Sequence, residues 1–438
     1  MKSLISKFYL EIIIFIFAIL TRFIRLDYPK NHIFDEVYHA FTAQAIARWD
    51  PKAWEWWNSN PQGFAYEWTH PPLAKEFMAL SILIFGDGSF AWRFFSAVFG
   101  TGIIVLIYLI SLELFKNRKV AIFASLIASL DGLLLVMSRI AMNDTYFLFF
   151  SLLAIFLFLK NKNLLMGIAL GLAIASKWTG VFTIGIIGYL YVFKSIKIKG
   201  WNWLIYLIIP PMILLLTKKK FILLLQLFVI PLIIYFAAYL PFFLQHHSPP
   251  GQNSSNLQTF IGLQQQMYWY HTNLKASHSY QSTPYDWVFD LRPVWLFVDY
   301  PPQGEAGQKN TIANIYTLDN PLIVWFGLFS VIYLLFEYLK KKTRSYLIIL
   351  VCYFVFFIPW IFSPRIMFNY HYLPSTAFLT IVVGFILNKL SNNKRGKILA
   401  FSFLILTFSF FIYFYPLWTG IHVPMDLNNS YFWLKSWK

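Results

Sequence analysis

The segment Leu73-Ala74-Lys75-Glu76-Phe77-Met78-Ala79-Leu80-Ser81-Ile82-Leu83-Ile84-Phe85-Gly86 decides how this chain is threaded. It is apolar, yet short for a membrane span, which needs about 20 residues. If residues 73–86 crossed, the basic cluster Lys116-Asn117-Arg118-Lys119 would fall outside the membrane. If they lie in the interface, residues 90–115 cross inward and the cluster is cytoplasmic, as the excess of basic residues in cytoplasmic loops requires. The second reading is adopted.

Working outward, Lys2 and Lys7 precede a first span at residues 8–26, which reads as a retained signal anchor with a cytoplasmic N-terminus. Asp35 and Glu36 then emerge on the outer face. Residues 27–72 form a first outer loop, carried to residue 89 by the interfacial segment. Its Trp49, Trp54, Trp56, Trp57 and Trp68 predict helices lying on the membrane. Further on, residues 120–137, 163–176, 221–243, 345–363 and 397–416 run outward. Residues 145–160, 178–194, 319–339 and 370–389 run inward. Residues 201–216 contain Pro210-Pro211 between lysines and read as a cytoplasmic hairpin or re-entrant piece. Residues 245–318 are a long polar outer loop. The expectation is an all-α polytopic membrane protein, one domain over residues 1–438, with about eleven spans and an outer C-terminus.

Composition agrees. The chain is 58% hydrophobic and only 13% charged, against about one quarter in soluble domains. Its net charge of +17 would suggest nucleic acid in a soluble protein, but here Lys and Arg fall largely in short loops between apolar runs. Nucleic acid is therefore not an expected partner. The single Cys352 permits no internal disulfide. There is no HExxH or paired CxxC for zinc, and no Walker loop or GxGxxG for a nucleotide.

The polar residues that remain cluster on the outer side. Asp35 and Glu36 are either a solvated loop pair or a general base in a low-dielectric setting. His70 and Lys75 flank Pro71-Pro72; either the prolines fix a helix entry while Lys75 snorkels, or both side chains approach an anionic headgroup. Arg93 is an interfacial anchor or a bidentate phosphate clamp. Asp131 lies in an apolar run and calls for a partner. Arg139 and Asp144 straddle an outer turn and could simply pair with each other. Lys177 is an outer lysine between two spans, which a phosphate would satisfy. Arg365 and His371 mark another cationic outer turn, with Tyr370 and Tyr372 as alternative interfacial anchors. Acids and cations on one face suit an anionic, lipid-linked donor attacked by a neutral nucleophile.

In order along the chain stand Phe34-Asp35-Glu36, His70-Pro71-Pro72-Leu73-Ala74-Lys75, Trp92-Arg93-Phe94-Phe95-Ser96-Ala97, Asp131-Gly132-Leu133 with Ser138-Arg139, Lys177-Trp178-Thr179-Gly180, Asn320-Pro321-Leu322-Ile323-Val324-Trp325 and Tyr370-His371-Tyr372. In these motifs the chain resembles the protein O-mannosyltransferases, membrane glycosyltransferases of the C fold type that use dolichyl- or polyprenyl-phosphate-mannose. The resemblance implies Asp35 as the base on an acceptor Ser or Thr hydroxyl. It implies Glu36 as a holder of acceptor or sugar. Arg93 and Lys177 would bind the donor phosphate, with Arg139 and His371 in weaker support. It also implies inversion at the mannose, a membrane-lipid environment and an acceptor protein or peptide as partner. Some C-type enzymes use a divalent metal near their acids; no dedicated ligand set is visible here.

Two departures stand out. Eukaryotic relatives carry a folded MIR domain in the long outer loop, for which residues 245–318 are too short, so a prokaryotic plasma-membrane enzyme is expected. Met142-Asn143-Asp144 also replaces the more apolar run that often follows Ser-Arg in the family. Two alternatives remain at this level. One is a C-type transferase moving an aminoarabinose-like sugar to a lipid. The other is a transporter, which would favour mid-span charges and internal repeats.

Overall fold

The structure, a computed structural model, describes residues 2–195, 222, 224–300 and 311–438. The hairpin expected at 201–216 lies outside these residues.

The deciding segment forms a helix, α3 (Leu73–Phe85), of 13 residues. At 1.5 Å per residue it is about 20 Å long, short of a hydrocarbon layer of about 30 Å. It ends at Gly86, whose φ of +84° is a conformation that side chains resist. α3 packs between α2 (Glu36–Ala47) and α4 (Ser89–Phe115), and its Leu83, Ile84 and Phe85 remain exposed. α4, with 27 residues, has the length to cross.

Among the described residues, four more helical stretches have a span's length and apolarity: Pro321–Lys341, Arg344–Phe362, Asn369–Leu390 and Lys394–Thr419. Shorter apolar helices stand at Asn143–Leu159 (α7), Asn163–Ser176 (α8), Trp178–Tyr191 and Leu225–Ala237. The protein is an integral membrane protein. α1 (Lys2–Phe23) occupies the place of the first expected span.

The span expected at 120–137 is not one helix. It is α5 (Arg118–Ser129) followed by α6 (Gly132–Met137). Asp131 is the reason: its backbone is extended and its carboxylate accepts the Leu134 N–H at 2.9 Å, starting a new helix. Gly132 then allows close approach, since a Cβ there would lie 2.3 Å from the Leu318 carbonyl oxygen and from the Trp418 ring. On the other side of this bundle, α5 lies against the helix Leu373–Leu390, with Gly384 touching the Ala124 backbone.

The described part of residues 245–318, expected as an outer loop, is a folded layer. A capping box of Ser255 and Gln258 starts the helix Asn256–Asn273, whose Phe260, Leu263 and Met267 are buried. A short helix, Pro284–Val288, follows and buries Trp287. β1 (Trp295–Asp299) and β2 (Thr311–Tyr316) then pair antiparallel. The residues after the last span return to this layer. Val423-Pro424 pairs with β2, Trp437 donates to the Asp290 carbonyl at 2.6 Å, and Arg292 donates to the Ser436 carbonyl at 2.7 Å.

Candidate active site

Asp35 and Glu36 sit at the start of α2, just after Phe34, whose φ of +47° turns the chain sharply. The two carboxylates have opposite surroundings.

Glu36 is 0% exposed. Its Oε1 accepts from Arg93 Nε at 2.7 Å and from the Ala141 N–H at 3.0 Å. Its Oε2 accepts from Arg93 Nη2 at 2.7 Å and from the Ile33 N–H at 3.0 Å. Arg93, also 0% exposed, completes its set on the carbonyls of Leu26, Pro29 and Asn31. All five guanidinium N–H groups are thereby engaged. No N–H is left for the donor phosphate expected there, and Glu36 has no face open to acceptor or sugar.

Arg139 is likewise committed. Its Nη1 donates to the carbonyls of Thr21, Arg22 and Ile24, and its Nη2 to that of Arg25. It caps the C-terminal end of α1, where carbonyls lack helical partners. It pairs neither with Asp144 nor with an open site.

Asp35 carries no side-chain cap hydrogen bond and is partly open to solvent. Desolvation, with Asp144 and Glu67 adding to it against Lys177, pushes its carboxyl up to about 7. Those named neighbours bring four parts of the chain together: the α2 start, the loop around Glu67, α7 and the turn after α8.

Glu67 is the hub of this side. It accepts from His70 Nδ1 at 2.8 Å, from Thr69, and from Lys75, which also donates to the Glu67 and His70 carbonyls. Desolvation opposes its charge, but Lys75, His70 and His39 hold its carboxyl well below the usual range. Burial pushes His70 well below its ordinary value despite Glu67, so the ring is neutral. His70 and Lys75, expected on an anionic headgroup, instead fix Glu67. Glu67 lies three residues before the His70–Lys75 motif and carries no role in the sequence reading. Its spacing to His70 and Lys75 was the available signal.

Among the described residues of this site, Lys177 and Arg365 keep N–H groups without a protein partner. Lys177 donates to Asp144 Oδ1 at 2.8 Å and lies 5.9 Å from the Tyr370 ring centroid. Among the described residues, the hydrogen-bond partner of the Arg365 side chain is a ring nitrogen, His271 Nδ1, reached through Nη1. The Arg365 Nε is buried without a partner, and among the described residues no carboxylate pairs with this side chain. Arg365 acts electrostatically on Tyr370 and on Tyr270, as Asp35 does. His371 stands in the same field, its Nδ1 on the Phe368 backbone and its ring 4.5 Å from Trp360. Among the described residues no group of three His, Cys, Asp or Glu is placed to hold a metal ion.

This arrangement can take a proton at Asp35 and hold an anion at Lys177 and Arg365. Residues 12–246, more than half of the chain, match the family described as dolichyl-phosphate-mannose-protein mannosyltransferase. The chain belongs to that family. Residues 256–437 match the C-terminal four-transmembrane region of protein O-mannosyltransferase. A mannosyltransferase relative, the polyprenol-phosphate-mannose–protein mannosyltransferase of Corynebacterium glutamicum, is 26% identical, over 97% of this chain and 92% of that one. The like-named protein of Mycobacterium tuberculosis is 23% identical, over 97% of this chain and 91% of that one.

Solved structures place the fold. A chain of the Saccharomyces cerevisiae protein O-mannosyltransferase Pmt1-Pmt2 complex bound to the sugar donor superposes with a TM-score of 0.77 at 16% identity. The match covers 99% of this chain and 93% of that one. ArnT from Cupriavidus metallidurans bound to undecaprenyl phosphate gives 0.56 at 15% identity, covering 89% of this chain and 62% of that one. The mannosyltransferase family's C fold type is thus the fold of this chain.

Proposed function

We propose that this enzyme transfers mannose from a polyprenyl-phosphate-mannose to Ser or Thr hydroxyls of exported proteins, at the outer face of a prokaryotic plasma membrane. One observation carries the catalytic assignment. Asp35 is an acid of the cluster without a hydrogen-bonded cation, only partly exposed and raised to about 7, where a general base works best. Glu36, beside it, is neutralised by Arg93.

In the proposed step Asp35 takes the hydroxyl proton while the acceptor oxygen attacks the anomeric carbon of mannose. The bond from that carbon to the phosphate oxygen breaks, and its electron pair leaves with the polyprenyl phosphate. Attack opposite the leaving group inverts the anomeric centre. Arg365 and Lys177 stabilise the charge that develops on the departing phosphate. Asp144 holds Lys177 in place. An apolar cavity of about 500 Å³ supports a lipid-linked donor; it opens between the helix Pro284–Val288 and the spans Pro321–Lys341 and Arg344–Phe362.

The test uses purified protein in nanodiscs with radiolabelled polyprenyl-phosphate-mannose and a Ser/Thr-rich peptide. Label should move to the peptide, and Asp35→Asn should stop transfer while donor binding persists. Transfer at the wild-type rate by Asp35→Asn would remove Asp35 as the base. Transfer to a lipid instead of the peptide would change the acceptor class and keep the fold.

A further inference from the structure

Arg365 has an unusual partner for a cation in a site that contains acids. We infer that His271, on the helix Asn256–Asn273 of the long outer loop, positions Arg365 for the donor phosphate. Its Nδ1 accepts the Arg365 Nη1–H while its Nε2–H ties the ring to the Thr69 carbonyl. The inference rests on the reading of Arg365 as a phosphate ligand.

The geometry fixes the tautomer. Arginine can only donate, so His271 Nδ1 must be the acceptor of the Arg365 contact. The proton then sits on Nε2, which donates to the Thr69 carbonyl at 2.7 Å. The ring is further wedged by His70 at 5.0 Å and Trp178 at 5.7 Å between centroids. Burial and the adjacent Arg365 keep His271 neutral, pushing it down to about 4.

A neutral partner suits this task. A carboxylate would also orient the guanidinium, but it would cancel the charge that an incoming phosphate needs, as Glu36 does for Arg93. An imidazole sets direction and leaves the charge unneutralised. Arg365 therefore keeps its remaining N–H groups for an oxyanion. His271 touches neither sugar nor phosphate in this account; it is a positioning residue. The Nε2 bond fastens this helix to Thr69, beside Glu67 and Lys75, and the Nδ1 bond fastens it to the turn that carries Arg365, so one helix links both sides of the site.

The experiment separates the two ring nitrogens. His271→Asn places an amide oxygen near the Nδ1 position and loses the Thr69 bond. His271→Gln reaches toward the Nε2 position and loses the Arg365 bond. Equilibrium binding of radiolabelled polyprenyl-phosphate-mannose to the full chain in nanodiscs is the readout, with melting temperature as control. His271→Ala and His271→Gln should weaken donor binding roughly tenfold or more, the scale of one hydrogen bond to a charged group. His271→Asn should bind much closer to wild type. In an Arg365→Ala background, His271→Ala should add little further loss. Equal losses in all three variants, or full additivity with Arg365→Ala, would overturn the positioning role. A wild type that takes up no polyprenyl-phosphate-mannose would overturn the functional reading, and this inference with it.

Discussion

Asp35 and Glu36 are neighbours in sequence, yet they belong to different parts of the molecule. Glu36 faces inward and makes four hydrogen bonds, two of them to Arg93. Asp35 faces the site and has no such partner. One residue of helix advances the side chain by about 100°, enough to bury one carboxylate fully and leave the other partly exposed. The same division separates the cations. Arg93 has every donor filled by protein oxygens and Arg139 gives four hydrogen bonds to backbone carbonyls, while Lys177 and Arg365 make fewer. A charged residue near a site is part of its chemistry only if the fold leaves its charge unused.

The largest effect that could break this comparison is on turnover. Asp35→Asn should lower single-turnover transfer by about 10² to 10⁴, the range typical of a positioned base, with donor binding kept. Arg93→Ala should instead act on folding. It leaves Glu36 buried and unpaired, a change that costs about 3–5 kcal/mol and should show as a lowered melting temperature and reduced yield. A stable Arg93→Ala protein that had lost only donor binding would erase the distinction between the two regions. Arg365→Ala should do the opposite, keeping the melting temperature while donor affinity falls roughly tenfold or more.

The pH profile sharpens the contrast. A base must be deprotonated, and burial with Asp144 and Glu67 raises the Asp35 carboxyl to about 7. Turnover under subsaturating donor should therefore rise with pH through about 7 and fall about tenfold per unit below it. A profile flat down to pH 5 would place the working base elsewhere. The smallest effect is on stability. A carboxyl raised above its unfolded value destabilises the fold once pH exceeds that value. Asp35→Asn should thus melt higher than wild type at pH 8, and the gap should close as pH falls toward 4.

Much of this was readable in the chain. That residues 73–86 form a helix too short to span was legible from the length of the apolar run, because hydropathy acts locally. The motif positions of Asp35, Asp144 and Lys177 also led to residues that the fold brings together. The break at Asp131 was harder to read, since an acid in an apolar run marks a polar contact without saying that a helix restarts there. His271 carried no local signal at all. It lies 202 residues from Thr69 and 94 from Arg365 along the chain, and only the fold of the long polar loop joins them. The C-terminal residues beyond the last span were equally silent, since Trp437 becomes structural only when the Asp290 carbonyl meets it.

Adjacent residues alone establish a mostly helical membrane protein, its family, and a set of acids and cations gathered near the ends of its apolar segments; the small sheet of the long polar loop was not among the expectations. They do so because the apolar runs, the basic loops and the short motifs are local properties of the chain. Which charge answers which was decided only by the tertiary structure. Arg93 is 57 residues from Glu36, and Lys177 is 33 from Asp144. A buried ion is tolerated only where packing supplies its partner, and that partner is chosen by the fold in space rather than by position along the chain.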